Sequence, residues 1–134
     1  MPNQPFDWVQ YLNLAKELAA REEESCLRSS ISRAYYCVFN LASNRAAQNG
    51  FVFAPGESTH AQLWRLYNRN PDPECMKLGQ IALRLKEKRE KADYKPAYPR
   101  IQDEVPQVLA AAEDFAKILG NIAQRLPRPE SMRR

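Results

Sequence analysis

Ser29-Ser30-Ile31-Ser32-Arg33-Ala34-Tyr35-Tyr36-Cys37-Val38-Phe39-Asn40 is the stretch whose reading decides the fold. Residues 12 to 49 around it contain no Gly or Pro. Apolar side chains recur at Leu27, Ile31, Ala34, Tyr35, Val38, Phe39, Leu41 and Ala42, which is helical spacing. The apolar sector is too wide for a helix that faces water over half its girth. A central helix, contacted on more than one side, accounts for it. A line of polar groups also runs along it: Ser29, Ser32, Arg33, Tyr36 and Asn40. Polar groups on a buried helix need hydrogen-bonding partners.

Working outward, the spacing predicts a first helix over residues 7–21, with Asp7 as a candidate N-cap and Trp8, Tyr11, Leu12, Ala15, Leu18 and Ala19 facing inward. The central helix covers 23–48 and stops at Asn49-Gly50, a left-handed stop signal. Phe51-Val52-Phe53 has strand-like composition but no partner strand, so it reads as a loop with apolar anchors. Ser58 or Thr59 caps a short helix to about residue 67, with Leu63, Trp64 and Tyr67 inward. A fourth helix spans 73–94, with Pro73 at its first position. Its inward line is Leu78, Ile81, Ala82, Leu85, Arg89 and Ala92, so an arginine occupies a core position. A fifth helix spans 101–125, with Val105, Val108, Leu109, Ala112, Phe115, Ala116, Leu119, Ile122 and Leu126 on one face. The expected fold is all-α, an antiparallel bundle of four long helices plus one short helix over residues 1–126, followed by a basic tail over 127–134.

Composition narrows the classes of function. The chain has 134 residues, 44% of them hydrophobic, which suits one domain with one core. No apolar run reaches membrane-spanning length. The first five residues lack a basic start and an apolar segment, so no secretory signal is expected. Cys26, Cys37 and Cys75 are too few and too scattered for a disulfide framework or a zinc site, and a reducing, cytoplasmic setting is expected. The net charge of +4 is mild. Six basic and three acidic residues lie between Arg84 and Lys95, a mixture typical of a solvated helix face. No cofactor motif occurs: the four glycines are scattered and form no phosphate loop. No metal is expected either.

Arg89 and Asp93 are the sharpest chemical feature. Four residues apart on a helix, they can pair. One reading is a buried pair that fixes helix register. The other is a guanidinium held at a cleft, where its fork of donors suits phosphate. His60 is the only histidine, with general acid–base chemistry or a surface position as its alternatives. The hydroxyls of Ser29, Ser30, Ser32, Tyr35 and Tyr36 lack any Ser–His–Asp or Ser–Lys spacing, and Tyr35 reads as a core aromatic.

Ser32-Arg33-Ala34-Tyr35-Tyr36-Cys37-Val38-Phe39 in the second helix and Arg89-Glu90-Lys91-Ala92-Asp93-Tyr94 at the end of a later one resemble the HEPN superfamily, the higher eukaryotes and prokaryotes nucleotide-binding domain. The branch of small stand-alone prokaryotic proteins is the most similar. The resemblance runs from Trp8 to Ile122. It implies a helical bundle that forms a homodimer, with a polar cleft at the two-fold interface. It also implies pairing with a nucleotidyltransferase-fold protein, as a toxin–antitoxin or defence module, and RNA or nucleotide as ligand. Many members are metal-independent ribonucleases that use an arginine followed four to six residues later by a histidine. Arg89 matches that arginine, whereas Tyr94, Lys95 and Pro96 carry no imidazole. The resemblance therefore implies a binding cleft built from Ser32, Arg33, Tyr36, Asn40, Arg89, Asp93 and Tyr94. Cleavage by Arg89 and His60 as catalytic groups is the alternative, and a structural subunit of a larger nucleic-acid or defence complex is a third.

Overall fold

A computed structural model describes residues 5–122. Five helices follow one another: α1 (Val9–Ala19), α2 (Glu24–Gln48), α3 (Thr59–Asn68), α4 (Pro73–Tyr94) and α5 (Ile101–Asn121). There is no strand among the described residues, and Phe51-Val52-Phe53 is a loop. No helix is long and apolar enough to cross a membrane. The expected basic tail, residues 127–134, lies outside the described residues, as does Leu126.

α2 packs against each of the other four helices. Its burial pattern shows this directly. Ser30, Ile31, Ser32, Ala34, Tyr35, Cys37 and Val38 are all buried, more than one face of a helix can hold. Ala34, Ala42 and Ala46 keep the helix slim enough for close neighbours. Two hydroxyls fasten those neighbours to it. Ser30 Oγ donates to the Ala15 carbonyl of α1 at 2.7 Å, and Tyr67 Oη of α3 donates to the Ala42 carbonyl at 2.9 Å. Burial pushes the Cys37 thiol up to about 11, so it packs as an apolar group.

Local chemistry sets the helix ends. Ser58 Oγ accepts from the Ala61 N–H, and the Asp72 carboxylate accepts from the Glu74 N–H beside Pro73 at the first position of α4. Such caps contribute about 1 kcal/mol each. α2 stops at Asn49-Gly50, where Gly50 adopts φ 91° and the Phe51 N–H returns to the Ala46 carbonyl. α1 is shorter at both ends than the sequence suggests. It starts after Trp8, with the Asp7 carboxylate accepting from the Val9 N–H, and ends before the charged run 21–24. The loop from α2 to α3 is held by Gln62, whose side chain bonds both the N–H and the carbonyl of Ala54 and the carbonyl of Glu57. This fixes where α3 begins, and so where His60 sits in its first turn.

A tyrosine-walled arginine between α2 and α4

α4 carries Arg89 on its buried line, between Leu85 and Ala92. Only 6% of the residue is exposed. Its guanidinium carbon lies 5.3 Å from the Tyr35 ring centre, 5.5 Å from Tyr36 and 5.7 Å from Tyr94. Two of these rings come from α2 and the third from the end of α4 itself. Aromatic faces attract a cation, more strongly once water is removed. Burial opposes the charge, but Tyr36, Tyr35, Tyr94 and Asp93 outweigh it and hold the guanidinium above its ordinary value.

The donors of Arg89 are incompletely matched. One terminal nitrogen faces Asp93 at 3.5 Å, an ion pair longer than a good charged hydrogen bond. Asp93 also accepts from Ser32 Oγ at 3.3 Å. Arg89 Nε has no acceptor, and it is the one buried side-chain nitrogen or oxygen left so among the described residues. Full burial without a partner is uncommon for such a group and sets Arg89 apart from the other buried polar side chains.

His60 enters the same cluster from α3. Its ring stacks on Phe39 at 4.1 Å and on Tyr35 at 5.5 Å, and meets Tyr36 edge-on at 5.9 Å. Tyr35 Oη and His60 Nδ1 are 2.6 Å apart, and Trp64 Nε1 donates to Tyr35 Oη at 3.0 Å. Burial, and then the charges of Arg89 and Lys86, push the imidazole below its ordinary value, against Glu90. His60 is therefore neutral at pH 7. Burial pushes the Tyr35 hydroxyl up, against its bond from Trp64 and the Arg89 charge, so it keeps its proton. A groove of about 300 Å³ between α3 and α4 adjoins this cluster, with Trp64, Arg65 and Lys86 in its lining.

A second arginine holds the end of α4 in place. Arg28 of α2 reaches across to the last carbonyls of that helix. It donates to Ala92 at 3.0 Å and Lys95 at 2.7 Å, with longer bonds to Lys91 and Pro96. Its Nε pairs with Glu24 at 2.8 Å. The carbonyls at a helix end lack partners of their own and carry partial negative charge, so a guanidinium there caps and stabilises it. This cap lies at Asp93 and Tyr94, and so positions one wall of the arginine site.

Of the residues singled out from sequence, the structure gathers Ser32, Tyr36, Arg89, Asp93 and Tyr94. Arg33 turns away onto α1, its guanidinium 5.0 Å from the Tyr11 ring. It follows Ser32 by one residue, about 100° around the helix. Asn40 bonds the Tyr36 carbonyl of its own helix, and Ser29 is exposed. Tyr35 is a core aromatic as expected, but its hydroxyl also belongs to the site. His60 adjoins the cluster, although about thirty residues separate it from Arg89 in the chain. Arg28 and Trp64 were not singled out for the site: Arg28 sits in a polar patch of α2, and Trp64 reads as packing.

No family model, curated protein or solved structure matches this chain. Among the described residues, no three His, Cys, Asp or Glu side chains gather where a metal could be held.

Proposed function

We propose that the cluster around Arg89 is a phosphate-binding cleft for RNA or a nucleotide, in a small HEPN-like helical module. The observation that carries this reading is the buried guanidinium with an unmatched Nε and a loose ion pair. A structural arginine at this depth would be fully bonded, because each unmatched buried donor costs about 1–3 kcal/mol. An arginine kept charged, walled by rings and only loosely tied to Asp93 suits an anion that exchanges with the carboxylate. The neutral imidazole of His60 and the cation Lys86 lie nearby and add to the same preference.

The resemblance of the two sequence motifs to HEPN proteins supports assembly as a homodimer. It also supports pairing with a nucleotidyltransferase-fold protein in a toxin–antitoxin or defence setting. The exposed Tyr94 and Leu83 on α4 are apolar groups that such an interface would cover.

Fluorescence anisotropy with a short single-stranded RNA tests the reading. Wild type binds, with an affinity that falls as salt rises. Arg89→Met, if folded by circular dichroism, binds at least about tenfold more weakly, as expected for loss of a charge-assisted contact. Equal binding by that variant sinks the proposal.

A second reading, metal-independent RNA cleavage, is favoured by the Tyr35–His60 hydrogen bond. It brings an imidazole to the arginine site, although no histidine follows Arg89 on its own helix. Cleavage of the same RNA in EDTA, lost in both His60→Phe and Arg89→Met, would establish it. Intact RNA after prolonged incubation leaves binding as the function.

A further inference from the structure

The chain Trp64–Tyr35–His60 has a direction. Trp64 Nε1 is a donor only, so Tyr35 Oη accepts from it. Tyr35 then holds one proton to donate, and the single acceptor within reach is His60 Nδ1. Nδ1 therefore carries no proton, and in the neutral ring the proton must sit on Nε2. Nε2 makes no hydrogen bond and is not among the fully buried unpartnered atoms, on a residue that is itself only partly buried. Protonating the ring would turn Nδ1 into a donor and leave the Tyr35 proton without an acceptor. The charged groups that face the ring act the same way. Arg89 and Lys86 of α4 repel an imidazolium, Glu90 of α4 opposes them weakly, and Tyr35 and Tyr36 of α2 set their aromatic rings against it.

Both His60 and Arg89 lie within 6 Å of the same two rings, Tyr35 and Tyr36. Resting on the phosphate-binding reading above, we infer that Trp64 and Tyr35 lock His60 as its Nε2–H tautomer, so that Nε2 donates a second hydrogen bond to the phosphate held by Arg89. Tyr35 is then a positioning residue, because its hydroxyl sits behind the imidazole and acts through it. His60 contacts the ligand as a neutral donor. The lock favours this neutral donor against the imidazolium, the form an ordinary surface histidine takes up as pH falls.

His60 is the single histidine, so imidazole ¹⁵N spectra report one ring. In the free protein, Nε2 resonates as a protonated nitrogen and Nδ1 as an unprotonated one. In Tyr35→Phe the ring titrates at higher pH than in wild type, because its fixed donor is gone. The ligand probe is a short oligouridylate, made with and without a 5′-phosphate to separate a terminal phosphate from the internal diester. Binding of either shifts the Nε2 resonance. His60→Phe weakens binding about fivefold, the scale of one neutral hydrogen bond. His60→Gln restores most of it, since its amide N–H stands where Nε2–H was. Tyr35→Phe weakens binding less at pH 7.5 and makes it vary with pH between about 5.5 and 7.5, around the ordinary histidine value.

An Nδ1-protonated ring in the free protein overturns the inference. So does RNA binding that leaves the His60 resonances unmoved and is equal in His60→Phe, in which case the role of Arg89 stands alone. If wild type binds neither oligonucleotide nor inorganic phosphate, the phosphate-binding reading falls and the inference falls with it.

Discussion

Arg28 and Arg89 both sit where α2 meets the C-terminal half of α4, and their surroundings are opposite. Arg28 is matched throughout: carbonyls at the helix end take its terminal nitrogens and Glu24 takes Nε. Arg89 is more deeply buried, yet it has aromatic faces, a 3.5 Å ion pair and an Nε with no acceptor. The first is how a fold uses a guanidinium for its own stability. The second leaves stability unclaimed, which is what binding sites commonly do. Burial alone would have ranked Arg89 as the more structural of the two. Hydrogen-bond matching reverses that order.

The comparison breaks most readily at Arg28. Arg28→Met removes the cap from α4 while keeping the side chain's apolar bulk. We expect a loss of about 2 kcal/mol in unfolding free energy, for several charge-assisted bonds at a partly solvated helix end. Urea denaturation measures it, and a midpoint equal to wild type would show that the carbonyls are as well served by water. Arg89→Met is the counterpart. Removing one partner of a buried ion pair is costly when it strands the other charge in the interior, but the Asp93 side chain is 28% exposed and stays in contact with water. Asp93 keeps its bond from Ser32, so it is not stranded. Stability within about 1 kcal/mol of wild type is expected, together with the loss of binding described above. A drop as large as that of Arg28→Met would make Arg89 scaffold and end the contrast.

A smaller effect tests the neighbouring histidine. The folded state depresses the His60 pKa, so the stability tied to its neutral form is complete above the ordinary value of about 6.5. That stability falls away as pH drops from there through the folded value, because the unfolded chain takes up the proton first. Chemical denaturation at pH 7.5 and at pH 5.5 reads this slope. His60→Gln should flatten that part of it, and an unchanged slope in the variant would assign it to the carboxylates. Glu104, held down by Lys88 and Tyr98 against burial, acts at lower pH: its contribution is present above the ordinary carboxylate range and lost below it.

The smallest effect concerns the α3–α4 contact that brings His60 towards Arg89. A Cβ on Gly79 would come within 2.7 Å of the Asn68 side chain, whose amide donates to the Trp64 carbonyl. Gly79→Ala gains about 1 kcal/mol of helix propensity and displaces a bond worth about as much. A net change below about 0.5 kcal/mol follows, which thermal unfolding can detect as little or no shift. A large loss would mean that the Asn68 bond matters more to this contact than its partial burial suggests.

The bundle was largely legible in the residues. Period-3.6 apolar lines, Pro73, the Ser58 cap and Asn49-Gly50 locate helices to within a few positions, because each acts through near neighbours in the chain. Arg89 on the line from Leu78 to Ala92 was visible for the same reason, as was its i, i+4 relation to Asp93. Arg33 and Asn40 showed the limit of this reasoning. Both belong to the polar line of α2 on paper, but one side chain swings onto α1 and the other folds back onto its own helix. A polar line on a helix does not say which neighbour each group will meet.

The sequence by itself determined an all-α chain with a central helix buried on more than one side and an arginine at a core position of α4. Those are consequences of local periodicity and capping, which operate over a few residues. Tertiary structure alone decided that His60 would lie against Tyr35 and that Trp64 would orient the hydroxyl between them. It also decided that Arg28 would close the end of α4. These contacts join residues from 25 to 68 positions apart. Only the packing of α3 and α4 around α2 brings them into hydrogen-bonding range, since no spacing rule along the chain encodes the meeting of three different helices.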